Sequence, residues 1–397
     1  KVGLKVKQTH QAWLQWRESG FNERARLLKK LAAGLRHEKD RLAGLMAFEM
    51  GKPLKEGVGE IEKCAWVCDY YAENAASFLD DAIVATDAVK SYVSFQPLGV
   101  ILAIMPWNFP FWQVFRFLAP CLMAGNCGLL KHASNVPGCA LAIERLVSQA
   151  GFPAHVLQTL MIGNKAVNAV IAHPLVKAVT LTGSTNAGVN VARQAGAYLK
   201  KTVLELGGSD PYVILADADL ETAAQICVDS RLINNGQSCI AAKRFILVKE
   251  IEKKFTELFR EKMLQKNTGD PFGPYQLGPM ARADLRDELH KQVQDNIRAG
   301  ARCLLGGSIP RYKGHHAFYQ PTILSGIKKG MSAYAEEVFG PVALMMRAKD
   351  TADAIRLAND TTFGLGAAVF TENKILGEEI ARTGLQAGSC FVNSLVK

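Results

Sequence analysis

Residues 97–116 read PLGVILAIMPWNFPFWQVFR, and this stretch decides the fold. Val100 to Ile104 is an unbroken apolar run, the mark of a strand buried on both faces. Pro106, Asn108 and Pro110 end it, and a helical pattern begins near Pro110. With Arg116 and Pro120 also interrupting, the stretch is too broken to span a membrane. A buried strand feeding a buried helix is the repeating unit of a parallel α/β sheet.

Downstream the unit recurs. Strands are expected at Val100–Ile104, Cys127–Lys131, Val156–Met161, Ala178–Thr182 and Thr202–Leu206, with helices starting near Pro110, Pro137, Lys165 and Thr185. Right-handed crossovers then cover both faces of the sheet, and ligands bind beyond the carboxyl ends of its strands. The segments to inspect are therefore Pro106 to Asn108, Lys131 to Ser134, Gly163, and Gly183 to Ser184. From Ser209 a second α/β region begins with PYVILADADLETAAQ and continues through Phe245–Val248 and residues 341–392. Upstream, Gln11 to about Leu79 has helical periodicity with a stop at Gly51 before Pro53, and Ser91 to Gln96 alternates as a strand.

The chain has 397 residues, 49% hydrophobic and 21% charged, enough for two or three domains. Its formal charge of +10 is mixed with acids rather than blocked, without a basic stripe interleaved with aromatics, which argues against nucleic acid. The nine cysteines form no CxxC pair, as expected in the reducing cytoplasm, and the eight histidines show no metal-ligand spacing. No apolar leader opens the sequence, and no membrane partner is expected.

Residues 234–242, NNGQSCIAA, present Cys239 after a polar run. A free cysteine is usually packing material, but this setting suits a nucleophile on a loop, with Gly236 placing the backbone. Glu205 in VLELGGSDP ends an expected strand, where it is either a general base or an ordinary exposed acid. Asn108 either caps the helix that follows or donates to an oxyanion. Ser134 has a similar alternative as the cap of the helix near Pro137.

Taken in order, ILAIMPWNFPFW, LLKHAS, LTGST, LELGGSDP, GQSC and EEVFGPV resemble the aldehyde dehydrogenase superfamily over nearly the whole chain, with most similarity to bacterial succinate-semialdehyde dehydrogenases. The resemblance implies a Rossmann-type nucleotide-binding domain at residues 1–74 and 97–208. It further implies a small oligomerisation strand region at 75–96 and an α/β catalytic domain at 209–397. By resemblance, Cys239 is the nucleophile, Glu205 the base for the hydrolytic water, and Asn108 the oxyanion donor beside the Cys239 amide. Lys131 and Ser134 would hold the adenosine ribose, and Gly163, Gly183 and Ser184 would line the cleft. Ile104 and Trp107 would flank the cofactor, Pro106 and Leu206 would also bind it, and Glu337 with Phe339 would contact the nicotinamide side. The absence of an acid at position 134 leaves room for a 2′-phosphate, so NADP is expected beside NAD.

Arg116, eight residues after Asn108 on the same helical pattern, is expected either to clamp a substrate carboxylate or to pair with a structural acid, with Arg231 and Arg244 also near that mouth. The expected reaction converts succinate semialdehyde to succinate in a homo-oligomer, a dimer or tetramer. Alternatives are another small aliphatic or aromatic aldehyde, or an inactive nucleotide-binding protein. The family's usual Gly-rich closing loop and last strand would follow Lys397, and its first strands would precede Lys1, so a fragment or a shortened member is expected.

Overall fold

The computed structural model describes residues 2–312 and 317–397. Val100–Met105 is the central strand of a five-stranded, all-parallel sheet. The spatial order is Leu157–Thr159, Cys127–His132, Val100–Met105, Val176–Thr182, Lys201–Glu205. The register pairs Met105 with His132 and Thr182 with Glu205, which brings the carboxyl ends of the strands to one edge. Leu102, Leu129 and Val179 are buried as strand residues covered on both faces must be. The expected strand at Val156–Met161 contracts to three residues, and the helix expected at Lys165 opens as a 3-10 turn at Asn164–Ala166 before Val167–Ala172.

This sheet belongs to a first compact unit formed by residues 1–49 and 54–206. Its helices Val2–Trp16, Phe21–His37, Lys39–Met50 and Leu54–Phe78 account for the upstream periodicity. Between the last of them and the sheet lies an antiparallel pair, Ala82–Ile83 with Tyr92–Val93, shorter than the strand expected at Ser91 to Gln96. Its apolar side chains Ile83, Tyr92 and Val93 are exposed.

The second unit comprises residues 50–53 and 207–397. Its mixed sheet runs Arg302–Leu305, Thr322–Ser325, Val342–Ala348, Arg244–Val248, Pro211–Ile214, Gly366–Phe370, Ser389–Val392, with only the first pair antiparallel. Tyr212, Phe245, Phe259 and Phe370 pack its core, with the Phe245 and Phe259 rings 4.8 Å apart. The short segment Met50–Pro53 enters this unit through Gly51, whose φ is +76°. A Cβ on Gly51 would meet Pro279 at 2.7 Å, and one on Gly278 would meet the Gly51 carbonyl at 2.2 Å, so both positions require glycine. No helix among the described residues is long and apolar enough to cross a membrane.

Candidate active site

In the first unit, the expected site residues collect at the carboxyl edge of the parallel sheet. Ile104 pairs with Lys131 in register, Pro106 to Asn108 follow the central strand, and Gly183 and Ser184 follow Thr182. The Lys131 side chain is buried, and its Nζ donates to Asn164 Oδ1 at 2.8 Å while burial lowers its pKa.

At two of the open alternatives the capping reading is excluded. The Gly138 and Cys139 amides at the start of helix Pro137–Gln149 donate to the Glu49 carboxylate at 2.7 and 2.9 Å, and Ser134 is exposed, not the cap. Likewise, the Phe111 and Trp112 amides that open helix Trp112–Met123 donate to Glu60 Oε1 at 2.8 and 2.9 Å. That helix start is therefore served by Glu60 rather than by Asn108, which is buried. Ser184 does cap: its hydroxyl accepts from the Ala187 amide at 3.3 Å.

The loop carrying Asn108 is held by His132 as well. Its Nδ1 accepts from the Ala133 amide at 2.9 Å, which leaves Nε2 to donate to the Pro110 carbonyl at 2.8 Å. Burial lowers this imidazole to a pKa of about 4, so it is neutral at physiological pH.

Arg116 lies on helix Trp112–Met123 with its Nη1 3.4 Å from Glu205 Oε2 and its Nη2 3.2 Å from Thr182 Oγ1. Both members of the ion pair are more than one-third exposed, and they line a cavity of about 440 Å³ with Met105, Gln113 and Thr182.

In the second unit, Cys239 follows a turn in which Asn234, Asn235 and Gly236 all adopt left-handed backbone conformations, with φ of 51°, 55° and 73°. The Asn235 side chain holds the Pro279 carbonyl and the Gly278 amide at 2.8 and 2.9 Å, which offsets the cost of two non-glycine residues at positive φ. A Cβ on Gly236 would stand 2.2 Å from the Gly340 carbonyl, so the GQSC and FGPV motifs meet backbone to backbone. Six of the nine cysteines are buried, and burial pushes Cys127 up to about 12, whereas Cys239 is only partly covered.

Below this turn, Lys243 is fully buried. Its Nζ donates to the Ser238 and Cys239 carbonyls at 2.8 and 2.5 Å and lies 3.3 Å from Glu337 Oε1. Glu337 also accepts from the Gly208 amide at 3.1 Å. Phe339 and Glu337 line a second cavity, of about 430 Å³. Arg231 corrects the expectation placed on it: the side chain is wholly buried and donates to the Gly236 carbonyl at 2.6 Å, so it secures the turn instead of lining a mouth. Arg244 is equally interior, bonded to the carbonyls of Ser209, Leu357 and Ala358. Burial lowers both guanidinium groups to about 10.

A family model, the aldehyde dehydrogenase family, matches residues 1–397. The chain is an aldehyde dehydrogenase. As an aldehyde dehydrogenase it is 45% identical to a probable NADP(+) succinate-semialdehyde dehydrogenase of Synechocystis sp., over all of this chain and 87% of that protein. It is also 45% identical to a succinate-semialdehyde dehydrogenase [NADP(+)] of Mycobacterium avium, over all of this chain and 84% of that one. A crystal structure of a Streptococcus pyogenes succinic semialdehyde dehydrogenase with NADP+ superposes with a TM-score of 0.97 at 36% identity, covering all of this dehydrogenase and 87% of the other.

The first unit fits an anionic dinucleotide in its charge as well as its sheet edge. Residues 145–204 contain six Lys or Arg and no Asp or Glu, and residues 1–17 contain four and none, so these two segments carry the whole +10 formal charge. Lys131 adds a buried cation at the strand end, and no acid stands at Ser134 to oppose a 2′-phosphate.

Sequence reasoning missed Glu49, Glu60, His132 and Lys243. The first two act at a separation of 89 and 51 residues, without a local signal. Lys243 did leave one, since a lysine inside the apolar run IAAKRFILV must find partners or be expelled.

Proposed function

We propose that this chain oxidises succinate semialdehyde to succinate, using NADP in preference to NAD. The observation that carries the reading is Arg116: a partly exposed guanidinium on the wall of a cavity, beside the Glu205 carboxylate, is placed to take a second, mobile carboxylate by a bidentate pair. The names of the relatives point to the same substrate and cofactor.

In this reading the Cys239 thiolate forms a bond to the aldehyde carbon, and the oxyanion is met by the Cys239 backbone N–H and the Asn108 amide. Lys131 and Ser134 would hold the adenosine ribose and its phosphate, Gly163, Gly183 and Ser184 would line the cleft, Ile104, Pro106, Trp107 and Leu206 would flank the cofactor, and Glu337 and Phe339 would contact the nicotinamide side. The bound nicotinamide supplies a hydride acceptor, so that loss of hydride from the tetrahedral carbon leaves a thioester on Cys239. Glu205 then takes a proton from water, whose oxygen attacks the acyl carbon and expels the thiolate. Assembly as a homo-oligomer through the exposed hairpin at 82–93 belongs to the same proposal.

The test is the appearance of reduced nicotinamide, followed by near-ultraviolet absorbance, with succinate semialdehyde and an uncharged aldehyde of equal length, each with NADP and NAD. A Cys239→Ala control must be inactive. Equal efficiency for both aldehydes would reject the substrate, and turnover in the control would reject the nucleophile.

A further inference from the structure

We propose that Lys243 is a positioning residue that orients the oxyanion-binding amide of Cys239; the inference rests on Cys239 being the nucleophile. Peptide planarity sets the direction of that amide. The Ser238 carbonyl and the Cys239 N–H belong to one peptide unit, and no cis bond occurs among the described residues, so the oxygen and the hydrogen point in opposite directions. The Lys243 ammonium holds the Ser238 oxygen at 2.8 Å from below, and the same oxygen receives the Ala241 amide at 3.3 Å. The Cys239 N–H is thereby turned away from Lys243.

The second bond, from Nζ to the Cys239 carbonyl at 2.5 Å, fixes the next peptide plane as well, so that both planes flanking the nucleophile's Cα rest on one cation. Glu337 completes the arrangement: its Oε1 lies 3.3 Å from the ammonium and 3.1 Å from the Gly208 nitrogen. Gly208 itself cannot carry a side chain, because a Cβ there would stand 2.5 Å from the Cys239 carbonyl oxygen. The backbone of Lys243 is anchored in turn, its amide donating to the Asp210 carbonyl at 3.1 Å.

A positive charge on the carbonyl end of a peptide also polarises it and makes its N–H a stronger donor. Lys243 therefore acts on the tetrahedral intermediate without touching it. Charge of this kind in a water-excluded site acts more strongly than the same charge in solvent. The ionisable groups that face the ammonium are Glu337, Asp210, Arg231 and Cys239; burial lowers the lysine's pKa, and Glu337 followed by Asp210 opposes that shift.

The test uses Lys243→Met, which keeps the length of the side chain and removes its charge. Its kcat for succinate semialdehyde is expected to fall at least tenfold, below the 10²- to 10³-fold typical of deleting an oxyanion donor outright. KM for the aldehyde and NADP binding, read by fluorescence, should stay within about threefold. Alkylation of Cys239 by iodoacetamide needs no oxyanion donor, so its limiting rate at high pH should stay within about twofold, while its midpoint moves upward on loss of the neighbouring cation. A kcat within twofold of wild type, or a fall in the alkylation limit that matches the fall in kcat, would overturn the proposal. Should Lys243→Met fail to fold, Lys243→Gln removes the charge while keeping a donor for the buried carbonyls and is judged by the same ratio of kcat to alkylation limit. Turnover by Cys239→Ala, run in parallel, would instead reject the nucleophile on which the inference rests.

Discussion

The guanidinium of Arg116, on helix Trp112–Met123, stands 3.4 Å from the carboxylate of Glu205, at the end of strand Lys201–Glu205. In the proposed reaction these are the anchor for the far end of the substrate and the base that activates water, so an incoming carboxylate competes with Glu205 for one cation. Arg116→Leu is expected to raise KM for succinate semialdehyde by about 100-fold or more, since a charge-assisted bidentate pair contributes a few kcal/mol. KM for an uncharged aldehyde of the same length should change by less than threefold. Steady-state kinetics with both substrates decide it, and equal increases would eliminate the clamp.

Ser134 is exposed and has no capping duty, because Glu49 serves the helix beginning at Pro137. Ser134→Glu should therefore leave thermal stability unchanged and move the NADP-to-NAD ratio of catalytic efficiency toward NAD by at least tenfold. An unchanged ratio would show that the 2′-phosphate is read elsewhere.

Glu60 receives the two amides that open helix Trp112–Met123, just after the loop that carries Asn108. Replacing it with Ala should destabilise the chain by about 1–2 kcal/mol, as expected for removal of a helix cap. It should also lower kcat more than it raises KM. Urea denaturation and initial rates measure the two effects, and a full kcat in a destabilised variant would separate the cap from catalysis.

Gly236 combines a φ of 73° with a backbone contact to Gly340 that leaves no space for a methyl group. Gly236→Ala should lower the unfolding midpoint and slow both Cys239 alkylation and turnover, because the turn must shift to admit the Cβ. Wild-type alkylation would mean that the turn relaxes without moving the thiol.

His132 gives a pH dependence with a definite sign. Burial holds its folded pKa at about 4, below the ordinary value near 6.5, so the unfolded chain binds the extra proton first. Its contribution is complete above about pH 6.5 and is lost as pH falls toward 4. His132→Gln, which can still donate to the Pro110 carbonyl, should flatten the slope of stability over that window. Identical slopes in urea titrations of the two proteins would assign the acid sensitivity to other groups.

Much of the fold was legible because its signals are local. The apolar run at Val100–Ile104, the glycine at 51 and the restart at Pro211 each report a backbone state through neighbouring residues. The motifs around Cys239, Glu205 and Asn108 carried the family for the same reason. Arg231 and Arg244 were misread because an arginine near a loop looks exposed until the carbonyls it bonds are known. Glu49 and Glu60 were invisible: nothing near either residue announces a helix start far along the chain, and only the packed structure joins them.

The strap at Met50–Pro53 has a consequence for synthesis. Residues 1–206 can emerge and pair every strand of the first sheet, yet the strap remains without its seat until Gly278 and Pro279 have been made. A nascent chain thus holds an early segment in reserve while a later one is translated, and a gene cut between the two units would leave the first half with a loose end in its middle.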